Sequence, residues 1–191
     1  MVFPVGDDNS DRTTFPFVTI ALLLANVFVF TVLQGMGAND DVTLAYCQVP
    51  AEIISGHDVV TEPSVRVVET PQGAVQVPDP GLKPTPIPPW MTLFTAIFMH
   101  GSIMHLAGNM WFLWIFGDNV EDRMGHGRFF VFYLLCGVAA ALGQTVVAPS
   151  STIPMIGASG AIAGVMGAYF VLYPRSRIVT LVPLLFFFQI D

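Results

Sequence analysis

Four stretches of this chain run for about twenty residues without an Asp, Glu, Lys or Arg, and that leaves few architectures open to it. Phe15–Leu33, Met99–Phe116, Phe129–Ala148 and Pro154–Tyr173 are each long enough, as helices, to cross a hydrocarbon core roughly 30 Å thick. In hydrocarbon every backbone polar group must be bonded inside the protein, so uncharged runs of this length are expected as helices. The fold class that follows is an all-α, polytopic membrane helix bundle with four complete spans. A fifth apolar run starts at Ile178 and reaches Ile190. Its thirteen residues would rise only about 20 Å, so it reads as a span cut short and the chain as a fragment. Composition agrees: 11 % of residues are charged, against about 25 % in soluble domains.

The first run is expected to be a retained anchor. A cleavable signal peptide would carry a basic leader and a shorter apolar core, whereas Asp7, Asp8 and Asp11 precede this one against the single Arg12. Arg12, Arg123, Arg128, Arg175 and Arg177 fall on one side of the spans, and Arg66 and Lys83 on the other. The positive-inside rule then sets the N-terminus in the cytoplasm. The chain divides into a cytoplasmic N-terminus (1–14), a first span (15–34), an extracytoplasmic loop (35–90) and a helical core (91–191). The loop carries nine of the fifteen prolines and seven of the fourteen acidic residues. Its end, PDPGLKPTPIPPW, cannot be regular helix, because proline lacks the N–H and restricts the residue before it. Trp90 suits a membrane-interface anchor.

Several classes drop out. The net charge is −7 and the seven basic residues are scattered, so no nucleic-acid partner is expected. Cys47 and Cys136 lie in different environments, which argues against a disulfide, and two cysteines make no metal site. Neither metal nor cofactor is expected. His57 reads as a solvated loop residue.

Polar residues inside spans are costly and usually face the protein interior or a wet cavity. His105 and Asn109 are four apart and share a helix face. Counted from Met99 at the outer end, they lie about 9 and 15 Å deep; Ser159, counted from Pro154, lies about 8 Å deep. Two segments thus bring polar groups to similar depth in the outer half. Gly157, Gly160, Gly164 and Gly167 form a small-residue stripe that allows close helix approach. Packing accounts for Gly164 and Gly167, while Gly157 and Gly160 flank Ser159 and could admit a substrate backbone. Alone, Ser159 reads as a packing serine bonded to its own helix. Together, the three polar residues leave packing and hydrolysis about equally open.

From Trp90 onward, the HxxxN pair His105/Asn109, the GxxxExxxG turn (Gly117, Glu121, Gly125) and the GASG around Ser159 resemble the rhomboid family of intramembrane serine proteases. The resemblance implies a six-helix core, Ser159 as nucleophile, and His105 and Asn109 as oxyanion stabilisers. It implies supporting roles for His100 and for Glu121, the latter bonding donors between the second and third spans. Substrates would be single-span membrane proteins in the lipid bilayer, and the setting a bacterial or archaeal plasma membrane. The family's general base is a histidine on the sixth span, which this chain does not reach. His126 lies in a cytoplasmic turn, and His105 could serve as base only by leaving the oxyanion. Residues 1–191 alone are therefore expected to be inactive and poorly stable. Family members often carry Arg after the loop tryptophan; here Met91 follows Trp90.

Two rivals remain. A catalytically inactive rhomboid-like protein would bind membrane clients without cutting them. A transporter would show ionisable groups through the whole membrane depth, whereas here they are confined to the outer half.

Overall fold

In a computed structural model, which describes residues 3–7, 12–70 and 73–181, the chain is mostly helical. Strand β1 (Phe3–Asp7) leads into helix α1 (Phe17–Phe28), which continues as a π-helical turn through Val29–Leu33. Short helices α2 (Asp40–Ala45) and α3 (Pro50–Ser55) follow, then the hairpin β2 (Ser64–Thr70) and β3 (Gly73–Asp79). Helix α4 (Thr92–Thr95) precedes three longer ones: α5 (Ile103–Met124), α6 (His126–Val147) and α7 (Ser159–Leu172); strand β4 (Ile178–Leu181) ends the described chain.

Among the described helices, α6 alone is long and apolar enough to cross a membrane unaided; the segments 89–98 and 103–124 together qualify as a pair bent by 79°. The first and fourth expected spans are shorter apolar helices, 17–33 and 159–172. The expected fifth span begins differently: Ile178–Leu181 is a strand, antiparallel to β1, with Asp7 opposite Ile178 and Phe3 opposite Leu181. Its β-branched Ile178, Val179 and Thr180 suit a pleated strand. Residues 182–190 lie outside the described residues. The all-α expectation therefore holds for the bundle but misses two two-stranded sheets.

The core is built by α1, α5, α6 and α7 around Leu22, Leu113, Phe116, Phe129, Tyr133 and Tyr169. Gly125, at φ 81° and ψ 149°, is the single residue between α5 and α6, a backbone state open to glycine. Small residues set the α6–α7 spacing: a Cβ on Gly160 would come within 2.5 Å of the Ala140 Cβ, and one on Gly164 would overlap the Cys136 side chain. Gly167 has nothing within 4 Å of such a Cβ. The supposed single stripe is thus divided, with Gly160 and Gly164 against α6 and Gly167 on an open face.

Much of the loop 35–90, expected to be partly irregular, is folded, while residues 80–88 of its proline-rich end carry neither helix nor strand. Cys47, Val49 and Leu82 form a second small core, with Ile156 packed on it from the segment before α7. Gln48 and Met155 exchange both backbone hydrogen bonds (3.0 and 2.8 Å), so the loop grips that segment directly. Glu52 is buried in α3; Oε1 accepts from the Val59 N–H at 3.1 Å, while Oε2 has no partner. Burial, then the nearby Asp58 carboxylate, pushes the Glu52 carboxyl above its usual range. Burial and the Glu52 charge likewise push the Cys47 thiol up to about 12, which keeps it protonated and inert.

The sign for Glu52 follows by linkage. An acid whose folded-state pKa is raised binds more protons folded than unfolded, so stability falls as pH rises from the ordinary carboxyl range through the raised value. Glu52→Gln keeps the bond to Val59 and removes this liability. It is expected to raise the thermal midpoint at pH 7 and to flatten its decline as pH rises above the ordinary carboxyl range; a midpoint unchanged at pH 7 would contradict the assignment.

Candidate functional site

Ser102 opens α5 as its N-cap, its Oγ accepting from the His105 N–H at 3.1 Å. That cap fixes the start of the helix, so His105 is its third residue and Asn109 lies one turn further on the same face. Ser159 is the first residue of α7, which packs beside α5. The depths counted from Met99 and Pro154 therefore need correcting, because residues 99–102 and 154–158 are not helical. The groups still come together, for a different reason: His105 and Ser159 both sit in the first turns of neighbouring helices.

Ser159, His105 and Asn109 line one cavity of about 350 Å³, with Gly108, Phe112 and Met166 among its walls. Ser159 is exposed, His105 half-buried and Asn109 buried. As the first residue of α7, Ser159 has a backbone N–H with no carbonyl one turn back to receive it. Such N–H groups at a helix start favour negative charge. The opening of α7 therefore offers a hydroxyl and a backbone donor together.

Gly157 makes the approach to α5 possible. Its φ of 114° is reserved for glycine, and a Cβ there would lie 2.7 Å from both Cε1 and Nε2 of His105 and 3.6 Å from Nδ2 of Asn109. Gly157→Ala combines backbone strain with a clash against the imidazole. The variant is expected to lose about a hundredfold or more in any reaction that uses His105 and Ser159 jointly, since misplacing a reacting group by about 1 Å costs that much. Rates of any such reaction for the two proteins in matched proteoliposomes check this. Gly160, by contrast, is fixed by Ala140, so the room around Ser159 on the α5 side comes from Gly157.

Behind these groups stands a chain of hydrogen bonds. Asn109 Nδ2 is 3.0 Å from His100 Nε2, and His100 Nδ1 is 3.4 Å from the Phe98 carbonyl. A carbonyl can only accept, so Nδ1 carries the proton and Nε2 accepts from the Asn109 amide. The His100 and His105 rings meet edge to face with centroids 5.2 Å apart. The His100 backbone is itself held: its N–H donates to Gln34 Oε1 at 3.0 Å, and its carbonyl accepts from Gln34 Nε2 at 2.9 Å. Gln34 follows the π-helical turn of α1 and is fully buried. Sequence reasoning missed it, since a lone glutamine after an apolar run gives no local signal.

The remaining candidates lie elsewhere. Glu121 is buried, and its carboxylate accepts from the N–H groups of Val18 and Thr19, from Thr19 Oγ1 and from His126. It therefore ties the start of α1 to α5 and α6, rather than bonding only between the second and third spans. His57 is exposed in the loop. No group of three or more His, Cys, Asp or Glu is gathered for a metal among the described residues.

Residues 88–190, just over half of the chain, match the family described as the rhomboid domain. The chain is 43 % identical over 79 residues to "Rhomboid protease GluP" of Bacillus subtilis, covering 41 % of this chain and 15 % of that protein. It is 40 % identical over 77 residues to "Rhomboid-like protein 11, chloroplastic" of Arabidopsis thaliana, covering 40 % and 27 %. It is 31 % identical over 96 residues to "Rhomboid protein 1, mitochondrial" of Saccharomyces cerevisiae, covering 48 % and 28 %. The matched region spans less than a third of the length of each of these relatives.

Proposed function

The chain belongs to the rhomboid family, and from that premise we propose that it supplies the nucleophile and oxyanion donors of an intramembrane serine endopeptidase. The observation that carries this reading is the cavity shared by Ser159, His105 and Asn109. Ser159 Oγ attacks the scissile carbonyl. The Asn109 amide, the His105 imidazole and the Ser159 backbone N–H donate to the oxygen as it gains charge, the largest contribution such sites make. Asn109 is aimed through its bond to His100, and Gly157 keeps the approach clear.

None of the four histidines of this sequence is proposed as the base that takes the Ser159 proton. His57 is in the loop, and His126 lies beyond the far end of α5, about 30 Å from its start. His100 has both ring nitrogens engaged. His105 stands against Gly157 and is proposed as an oxyanion donor, a role it would leave if it served as base. The substrates proposed are single-span membrane proteins whose helix unwinds near the cut. The proposed setting is a multi-pass protein of a bacterial or archaeal plasma membrane with its N-terminus in the cytoplasm and Ser159 in the outer half.

The test is fluorophosphonate labelling of the protein expressed from its complete reading frame, with the adduct mapped by mass spectrometry. Labelling at Ser159, together with cleavage of a single-span reporter, is the expected result. A properly folded protein that takes up no probe and cuts no reporter would instead be a client-binding member of the family.

A further inference from the structure

The segment that runs into Ser159 is strapped down by the loop. Ala51, in α3, donates its N–H to the Ser151 carbonyl at 3.0 Å, and Gln48 and Met155 exchange both backbone bonds. Ile156 packs on Cys47, Val49 and Leu82. Gly157, which stands against His105, is the next residue, and Ser159 lies two further on. Residues 151–156 are thus held from the loop, with α3 at the middle of the strap.

Inside that strap sits a carboxyl with little support. Glu52 is 1 % exposed; its Oε1 accepts from the Val59 N–H, and its Oε2 has no partner. From the chain after α3 it is faced by a second carboxylate, Asp58, whose oxygens lie 3.2 and 3.1 Å from the Thr85 N–H they accept. From the chain before α3 it is faced by the Cys47 thiol, itself neutral. The other elements packed on α3 are α6 and the Pro89–Met91 turn, and neither Phe129–Val147 nor that turn holds a charged residue. Residues 148–157 hold none either. His57 is exposed, and Lys83 is engaged by Asp41 at 3.1 Å. Among the described residues no cation is paired with Glu52.

A buried carboxyl that faces a carboxylate and has no cation is most easily kept as the acid. We propose that Glu52, facing Asp58, is a proton-operated latch on this strap. Protonated, it keeps the loop closed on residues 151–156; ionised, it slackens that hold and with it the placing of Gly157 and Ser159. The latched loop binds the proton more tightly than the slack one. The latch is therefore fully shut below the ordinary carboxyl range and is released as pH rises through the raised value of Glu52. Its effect on cleavage rests on the proteolytic reading above; the slackening itself does not.

Cys47 lies under the strap, 1 % exposed, and reports the slackening directly. The protein from its complete reading frame, in proteoliposomes, is treated with an uncharged methanethiosulfonate from pH 5 to pH 9, and the Cys47 adduct is followed by mass spectrometry. Labelling proceeds from the slack loop, where the thiol is in water, so dividing the wild-type rate by that of Glu52→Gln at the same pH cancels the thiol's own ionisation. The quotient is expected to rise about tenfold or more across this range, the change that one unit of pKa difference between latched and slack loop produces. A quotient flat with pH overturns the latch. Asp58→Asn keeps an acceptor for Thr85 and removes the facing charge, so wild type divided by this variant should also rise with pH, though less. If Glu52→Gln folds poorly, that second quotient decides alone, and a flat one overturns the proposal. Cleavage of a single-span reporter in the same vesicles is expected to fall in kcat, relative to Glu52→Gln, as the labelling quotient rises. Labelling that rises while relative cleavage stays flat overturns the link to Ser159. Wild type that cuts nothing at any pH, while Cys47 labelling follows the expected course, brings down the proteolytic reading and leaves the latch standing.

Discussion

Ser159→Ala is expected to reduce cleavage of a single-span reporter by roughly 10⁴- to 10⁶-fold and to leave the fold intact. Removing the nucleophile of a serine hydrolase costs that much because the base and the attacked carbonyl then have nothing to exchange a proton with or bond to. The residual rate above water would come from the donors that survive the substitution: the Asn109 amide, the His105 imidazole and the N–H that opens α7. The fold should not change, because Ser159 is exposed, Ala158 rather than Ser159 is the N-cap, and α7 is anchored by buried Ala158, Ala161, Ile162 and Val165. Exchange of one hydroxyl for hydrogen on an exposed helix end is worth a few tenths of a kcal/mol at most, well inside the range of ordinary surface substitutions. Cleavage rate and thermal midpoint, read on the same preparation, separate the two effects. A variant that still cuts within tenfold of wild type would show that Ser159 is a packing residue after all.

The chemistry-bearing residues could be read from the chain because each is local. His105 and Asn109 share a face by spacing alone, and GASG sets small residues beside a hydroxyl. Helix starts were harder. Residues 99–102 and 154–158 are as uncharged as the helices they precede, so hydropathy runs straight through them. The signals that stop a helix there are Pro154, Gly157 and the capping Ser102, which act through backbone geometry. The β2–β3 hairpin had a period-two valine pattern either side of a Pro-Gln-Gly stretch, a signal masked by the proline content of the loop. Least legible were the single residues that tie distant parts together. Gln34 meets His100 across 66 positions, Gln48 meets Thr145 across 97, and Glu121 meets Thr19 across 102. Nothing in the local sequence marks such partners, because the pairing is made by the fold.

Glu121 gives the clearest measure of what these long-range ties are worth. Val18 and Thr19 lie in the first turn of α1, where N–H groups have no carbonyl to bond. Glu121 accepts both at 2.8 and 2.7 Å, and adds Thr19 Oγ1 and His126 Nδ1 at 2.6 Å each. The carboxylate is fully buried, and its negative charge also suits the positive end of α1. Truncation to alanine would strand several donors in the interior at once, at about 1–3 kcal/mol apiece. Glu121→Ala is therefore expected to lower unfolding stability by about 3–5 kcal/mol, a large part of the 5–15 kcal/mol that holds a typical protein together. The neighbouring Asp122 is the internal control. It also bonds the start of the chain, through Thr13 and Thr14, but those contacts are exposed, so Asp122→Ala should cost far less. Comparable losses for the two alanine variants in thermal or denaturant unfolding would refute this account. The consequence extends to the other end of α1, where Gln34 fixes the His100 backbone and His100 in turn aims Asn109. A loosened α1 should thus cost cleavage more than its distance from Ser159 suggests, and Glu121→Gln, which keeps one acceptor oxygen, should restore part of both stability and rate.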